Sequence, residues 1–224
     1  MSTLVLNVGN TSLFGGVCAG SRIGRRFRVP VREAAEPRGF KKLVADRVRG
    51  PFDAVALCSV VPALTETFVR HIETTWGCTP QLLTAAADHG LEIGYRRPHE
   101  LGTDRLAAAV GARALFPRRN VILVDCGTAT TVTALTRTGR IAGGAILPGL
   151  ALWSEMLALR TAQLPEVLPV RRPPPLGRSP REAIASGLFH GHAGAIRELV
   201  QVVAREAFGK APAVVVGTGG NAPR

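Results

Sequence analysis

Two short polar loops, each directly after an apolar run, have the residue types that bind phosphate. The first is Asn7-Val8-Gly9-Asn10-Thr11, and the second covers residues 125–131, Asp-Cys-Gly-Thr-Ala-Thr-Thr. In each loop a glycine lets the backbone approach a ligand, while amide N–H groups and hydroxyls can donate to phosphate oxygens. Gly9-Asn10 also suits an ordinary hairpin turn, which need not bind anything. The repetition favours the first interpretation and predicts a polyphosphate held between the two loops.

The composition indicates a folded chain with a basic surface. The 224 residues are 46% hydrophobic, enough for one large domain or two small ones, and the formal net charge is +12. Such a charge would suit nucleic acid or an anionic membrane, but the basic residues are scattered singly or in pairs. We therefore expect neither partner, although the surface suits anionic nucleotides.

Cysteine usage and the lengths of the apolar segments indicate the compartment. Four cysteines show no C-x-x-C pair, which predicts reduced thiols rather than a zinc site or disulfides. No charged and apolar leader precedes Leu4, and every apolar stretch is well short of the roughly 20 residues that span a bilayer. We expect a cytoplasmic protein.

The apolar pattern predicts a mixed α/β chain in which one arrangement occurs twice. In the first half we expect strands over 3–7, 12–18, 23–29 and 54–59, and helices over 38–49 and 63–76. In the second half we expect helices over 102–115 and around 150–159, strands over 121–125, 130–136, 140–142 and 213–216, and two helices within 180–208. A proline-rich surface loop separates the last helices from the rest. His190 and His192, two residues apart on a predicted helix, should face different directions.

With these elements in place, the sequence resembles the type III pantothenate kinases, members of the sugar kinase, heat-shock protein and actin superfamily. The resemblance covers essentially the whole chain and rests on the order and spacing of seven motifs. They are Gly9-Asn10-Thr11, Ser59-Val60-Val61-Pro62, Gly102-Thr103-Asp104-Arg105, residues 125–131, residues 143–149, residues 161–165 and Gly219-Gly220. It implies a duplicated actin-like, ribonuclease H-like α/β fold with halves 1–101 and 102–224 and a central cleft. The implied activity is the ATP-dependent phosphorylation of pantothenate to 4'-phosphopantothenate, the first step of coenzyme A biosynthesis.

The resemblance also implies a role for each motif. Asp104 is then the catalytic base, and the substrate-binding positions are Tyr95, Gly102, Thr103, Arg105 and Pro180. The ATP-binding residues are Asn7, Gly9, Asn10, Thr11, Gly127 and Thr128, with Mg²⁺ accompanying ATP, and Asp125 binds K⁺ or NH₄⁺. The planar guanidinium of Arg105 suits the carboxylate of pantothenate. Taken without the family, Asp104 suits the first turn of a helix, Tyr95 a strand edge and Asp125 a glycine turn.

Several residues depart from the family pattern. Asn7 stands where the family has an aspartate near magnesium, and Thr133 and Asn221 stand where it tends to have acids. Because an amide lacks the carboxylate charge that Mg²⁺ prefers, these changes predict a slow or inactive enzyme. Members are typically somewhat longer, so we expect part of the adenine side of the site to be missing.

Family members are homodimers in which the neighbouring subunit contributes a threonine to the pantothenate pocket. The corresponding position here is Pro180, so we expect this contact to be lost or replaced by Ser179. The apolar segment around 150–159 is suited to bury a partner surface. Two alternatives to the kinase remain at this stage: an impaired homologue that binds nucleotide or pantothenate and regulates, and a nucleic-acid-binding regulator.

Overall fold

A computed structural model describes residues 2–20, 22–48, 50 and 52–220, which fall into two compact units. The first unit comprises Met1–His89 and Arg97–Ala108, and the second comprises Gly90–Arg96 and Ala109–Arg224. The assignment of 1–101 and 102–224 to the halves of a duplicated fold stays a prediction.

A mixed five-stranded sheet forms the centre of the first unit. Its strands, in the spatial order β3-β2-β1-β4-β5, are β1 (Ser2–Val8), β2 (Ser12–Ala19), β3 (Arg22–Pro30), β4 (Ala54–Ser59) and β5 (Gln81–Leu82). β1 runs antiparallel to β2 and parallel to β4. Alternate residues of β1, Leu4, Leu6 and Val8, are fully buried, as the period of two in a strand requires.

Helices pack on this sheet through aromatic and β-branched side chains. They are α1 (Val31–Ala35), α2 (Pro37–Leu43), α3 (Pro62–Trp76) and the start of α4 (Thr103–Leu115), with 3₁₀ turns at Ala45–Arg47 and Pro98–Glu100. Phe40 of α2 and Phe68 of α3 are buried with ring centroids 6.2 Å apart. α3 begins with a proline in its first turn and ends at Gly77 in the left-handed conformation.

The helix predicted over 38–49 is shorter in the structure. α2 ends at Leu43, and the 3₁₀ turn Ala45–Arg47 follows, with Val44 before it and Val48 after it both buried. Arg49 lies outside the described residues. Three short elements, α1, β5 and the two-residue strand Glu92–Ile93 of the second unit, were not predicted; all lack the length that periodicity needs for detection.

The second unit repeats the strand plan of the first. Its sheet has the order β10-β7-β8-β9-β6, with β6 (Glu92–Ile93), β7 (Asn120–Cys126), β8 (Ala129–Leu135), β9 (Arg140–Pro148) and β10 (Ala213–Thr218). β7 runs antiparallel to β8 and parallel to β10, as β1 runs with β2 and β4. The predicted α/β class with a duplicated arrangement is confirmed. β9 runs to Pro148 rather than ending at 142, because its main chain pairs with all of β8 although two glycines weaken its apolar pattern.

The helices of the second unit are α5 (Leu150–Arg160), α6 (Pro180–Ser186) and α7 (His192–Phe208), with a π-helical turn at Gly187–Gly191. α7 packs its apolar side on the sheet, where Ile122, Val124 and Val132 are buried. In the part of the chain that is described, no helix is both long and apolar enough to cross a bilayer.

Candidate active site

The first phosphate loop is a closed turn between β1 and β2. The Gly9 N–H donates to the Ser12 carbonyl over 3.0 Å, and the Val31 N–H donates to the Thr11 carbonyl over 3.1 Å. On the neighbouring strand, the Arg28 Nε donates to the Ser12 hydroxyl over 3.0 Å. Since the Gly9 N–H is used within the turn, Gly9 can serve a ligand through the close approach of its backbone, not through this donor.

Asn7, at the end of β1, has a side-chain oxygen that is buried without a hydrogen-bond partner. It is the one buried side-chain nitrogen or oxygen in this condition among residues 2–20, 22–48, 50 and 52–220. Such an orphaned acceptor costs roughly 1–3 kcal/mol, which a ligand that donates to it or coordinates it would recover. The Asn7 side-chain oxygen is therefore suited to bind a cation directly or to accept from its bound water, but the amide has no negative charge.

Asp104 and its neighbours form the start of α4 in the first unit. The Asp104 Oδ1 accepts the Arg105 N–H over 2.7 Å, and the Thr103 hydroxyl donates to the Ser59 carbonyl over 2.7 Å. A Cβ at Gly102 would lie 2.6 Å from the Asp104 Oδ1, so a larger residue there would displace the carboxylate. Arg105 is buried, with 6% of its surface exposed. The motif thus fixes the Asp104 carboxylate at the first turn of α4 and buries the Arg105 side chain next to it in the sequence.

Cys58 links this motif to the first loop, and sequence reasoning did not single it out. It lies beside Asn7 in the pairing of β1 with β4. Burial raises the pKa of the Cys58 thiol to about 11, with the Asp104 charge adding to the rise and a hydrogen bond from Thr103 opposing it. The thiol beside Asn7 is therefore neutral, and it lies within the electrostatic influence of Asp104. The adjacent Ser59-Val60-Val61-Pro62 motif was the signal that could have identified it.

The second phosphate loop, between β7 and β8, closes in the same way as the first. The Gly127 N–H donates to the Ala129 carbonyl over 3.1 Å, and the Gly149 N–H, just before α5, donates to the Thr128 carbonyl over 3.0 Å. A Cβ at Gly149 would lie 2.4 Å from the carbonyl oxygens of both Gly127 and Thr128. Thr128 is exposed, so a ligand can reach the loop.

Asp125 is the next-to-last residue of β7 and pairs with Thr131 and Thr218. Gly219 has φ +93° and passes so close that a Cβ there would be 2.4 Å from the Asp125 Oδ1. A carboxylate oxygen is a hard donor, which is the type of ligand that an alkali cation takes. Asn221, one of the departures from the family pattern, lies outside the described residues.

A buried polar cluster behind this loop was not anticipated as a unit. The Thr130 Oγ1 lies 3.0 Å from the His192 Nε2, and the Trp153 ring meets the imidazole edge to face at 5.7 Å. Burial lowers the pKa of His192, which favours the neutral imidazole. His190, by contrast, is exposed and contacts the Pro173 carbonyl through its Nε2, so the prediction that the two histidines face different directions is confirmed.

The remaining predicted substrate positions lie in the second unit. Tyr95 follows the edge strand β6 and is half-buried. Pro180 occupies the first turn of α6, where its missing N–H costs nothing, and the Ser179 hydroxyl caps this helix by accepting the Glu182 N–H. Thr133 is buried inside β8, paired with Leu123 and Gly144. These positions belong to a different unit from Gly102–Arg105.

An apolar cavity of about 730 Å³ lies beside α5 and α6. Its wall includes Trp153, Met156, Leu157, Leu164, Ile184 and Leu188, with Arg160 and Pro180 also lining it. Met156 and Leu157 are more than a third exposed, so the cavity opens on an apolar surface.

Solved structures share this architecture. A protein described as a Baf family transcriptional activator of Campylobacter jejuni superposes with a TM-score of 0.56 at 16% identity, over 95% of this chain and 90% of that one. The ethanolamine utilization protein EutJ of Carboxydothermus hydrogenoformans gives a TM-score of 0.52 at 18% identity, over 97% of this chain and 76% of that one. These two structures share the mixed α/β fold with two five-stranded sheets that is seen here.

The sequence comparisons identify the family within that class. The family model for type III pantothenate kinase matches residues 3–202. A type III pantothenate kinase of Legionella pneumophila is 38% identical over 222 residues, covering 97% of this chain and 87% of the relative. A second, from Francisella tularensis subsp. holarctica, is 36% identical over 227 residues with the same two coverages. The chain belongs to the type III pantothenate kinase family.

Proposed function

We propose that this chain transfers the γ-phosphoryl group of ATP to pantothenate, giving 4'-phosphopantothenate and ADP. The observation that carries the proposal is the start of α4, where the Arg105 N–H holds the Asp104 carboxylate and the side chain of Arg105 is buried. Membership of the family supports the same reaction. No described feature favours a regulator in its place.

Asp104 acts in this proposal as the general base. Its carboxylate accepts the proton of the primary hydroxyl of pantothenate while that oxygen forms a bond to the γ-phosphorus. The bond from the γ-phosphorus to the bridging oxygen of ADP breaks at the same time, and ADP carries the charge away. Positioning and electrostatic stabilisation supply most of the rate in such transfers.

The other predicted residues bind the two substrates and the ions. Gly9, Asn10, Thr11, Gly127 and Thr128 contact ATP phosphates, and Tyr95, Gly102, Thr103, Arg105 and Pro180 adjoin pantothenate. A bound Mg²⁺ neutralises phosphate charge, and here Asn7 would face it with an amide oxygen. Since the described residues contain no group of three His, Cys, Asp or Glu side chains that could hold a metal ion, ATP itself would supply most of its ligands. Asp125 would bind K⁺ or NH₄⁺.

We further propose a homodimer that forms through the apolar surface of α5 and α6. The exposed Met156 and Leu157 and the open apolar cavity support this, because a second copy would cover them. Pro180, at the family position that reaches the neighbouring subunit, lines the same cavity. Use of ATP and pantothenate agrees with a cytoplasmic location.

The proposal is tested by mass spectrometry of phosphopantothenate formed by the purified protein with Mg-ATP, K⁺ and pantothenate. We expect product from the wild type, none above background from Asp104→Asn, and wild-type amounts from Asp88→Asn, a matched change at an exposed loop carboxylate. Equal product from Asp104→Asn would overturn the assignment of the base. No product from a wild type that still binds ATP would overturn the kinase and favour an impaired homologue.

A further inference from the structure

The hydrogen bond between Thr130 and His192 lies directly behind the second phosphate loop. Thr130 is the second residue of β8 and pairs with Cys126 on β7, so these two residues close the loop that contains Gly127 and Thr128. Thr130 is fully buried and His192 is 5% exposed. Because neither side chain can replace a lost partner with bulk water, their 3.0 Å contact restrains the base of the loop.

A second contact restrains the other side of the same loop. The Gly149 N–H donates to the Thr128 carbonyl, and α5 begins there, with the Trp153 N–H donating to the Gly149 carbonyl over 3.0 Å. The Trp153 ring then packs against the His192 imidazole. The start of α5 and the His192 side chain thus contact the loop at two points and contact each other.

The local backbone explains how a histidine at the start of α7 comes to lie there. The preceding residues, Gly187–Gly191, form a π-helical turn, whose extra residue changes the direction in which the next side chains point. His192 points into the unit and His190 does not, as expected for helical residues two positions apart. Single π-helical turns often occur at functional sites, since they cost stability that an ordinary α-helix would retain.

We propose that His192 is a positioning residue for nucleotide binding, which holds the second phosphate loop in its binding shape through Thr130. This inference rests on the proposed binding of ATP phosphates by Gly127 and Thr128. His192 does not touch the nucleotide. It keeps the Thr130 side chain, and with it the start of β8, at a fixed distance from α7, while α5 fixes Thr128 from the opposite side.

The test compares nucleotide affinity by calorimetry for four proteins, with ADP as the ligand so that no turnover is needed. His192→Leu removes the hydrogen bond and should weaken ADP binding by about tenfold or more. His192→Gln restores a polar group that can reach Thr130, and we expect an affinity within about threefold of the wild type. His190→Gln makes the same chemical change at the exposed histidine and should leave the affinity unchanged.

A separate variant, Thr130→Val, tests the same hydrogen bond in case His192→Leu does not fold. Thr130→Val is close in volume and suits a strand, so it removes the hydroxyl with little change in packing. We expect it to weaken ADP binding as His192→Leu does, and the double variant to be no weaker than either single one. Unchanged ADP affinity in folded Thr130→Val, or additive losses in the double variant, would overturn the inference.

Two further measurements separate a positioning role from a loss of stability. In a Trp76→Phe background, Trp153 is the one tryptophan left, and its emission should change when ADP binds. His192→Leu should abolish that change, and His192→Gln should retain it.

In turnover, His192→Leu should raise the KM for ATP and leave the KM for pantothenate within about twofold of the wild type. Equal rises in both KM values would overturn the inference. A wild type that binds ADP without turnover would overturn the proposed function and leave this inference standing; a wild type that binds no ADP would overturn both.

Discussion

At the scale of single residues, Asn7 is the departure with the clearest chemical meaning. Its amide oxygen is buried and unpartnered at the end of β1, beside the neutral Cys58 thiol. An aspartate there would place a full negative charge next to the proposed phosphate site. The amide keeps an acceptor but gives up the attraction to a divalent cation, which is the larger part of magnesium binding.

Asn7→Asp should therefore strengthen the response to magnesium. We expect the Mg²⁺ concentration that gives half-maximal phosphorylation to fall by about tenfold, equivalent to about 1.4 kcal/mol. Without Mg²⁺ the same variant should melt at a lower temperature, because a buried carboxylate then lacks a partner. Titration of the rate with Mg²⁺ checks the first effect, and thermal melts with and without Mg²⁺ check the second.

The matched control is Asn10→Asp, the same substitution at an exposed position of the same loop. It should change the Mg²⁺ dependence less, since solvent screens its charge. If Asn7→Asp had the same Mg²⁺ dependence as the wild type, Asn7 would not lie near the cation.

At the scale of elements, the two β-hairpins that contain the loops are closed by the same type of main-chain hydrogen bond. In each, a glycine N–H donates to a carbonyl two or three residues further along the chain. The second hairpin adds the start of α5, whose Gly149 lies against the loop backbone with no room for a side chain. The shape of this loop is thus set by a helix that follows it by some twenty residues.

Gly149→Ala tests that contact. Its φ of −72° is one that alanine adopts freely, so the expected damage comes from the Cβ alone, which would lie 2.4 Å from two carbonyl oxygens. Either the loop or α5 must move. We expect ADP affinity to fall by about tenfold or more, measured by calorimetry.

Gly111→Ala is the control for this change. It lies within α4, where a Cβ would meet nothing within 4 Å, and alanine should stabilise the helix by up to about 1 kcal/mol. Wild-type ADP affinity in Gly149→Ala would show that the loop tolerates a displaced α5.

At the scale of the whole molecule, the apolar surface of α5 and α6 is the feature that a monomer would not need. Leu157 lines its cavity and is 38% exposed. The net charge of +12 opposes association of two copies in general, so a dimer would depend on apolar contact at a particular surface.

Leu157→Glu should convert the proposed dimer to a monomer. A carboxylate in an apolar interface loses its hydration without gaining a partner, so the dimer dissociation constant should rise by at least about a hundredfold. Light scattering after gel filtration checks this over a range of protein concentrations. Leu159→Glu, at a more exposed position of α5 outside the cavity wall, should remain dimeric. A monomeric wild type at all concentrations would contradict the proposed dimer.

The local sequence was sufficient for the fold class and for most elements. Apolar periods of two and about 3.6 located nearly all strands and long helices, because burial on one face imposes those periods whatever the partner is. It failed for α1, β5 and β6, which are too short to show a period, and for the end of α2, which comes at Leu43 rather than at 49. The two glycine and threonine loops could also be predicted from the sequence, because the residues that make up each loop are consecutive.

Contacts between residues far apart in the chain were decided only by the tertiary structure. The sequence contains Asn7, Cys58 and Asp104 as separate residues, and sheet pairing and the start of α4 bring all three to one place. In the same way, nothing near Thr130 indicates His192, 62 positions away, because a hydrogen bond across packed elements leaves no local pattern. Residue types determined which chemistry is available to this protein, and packing determined which of those residues meet.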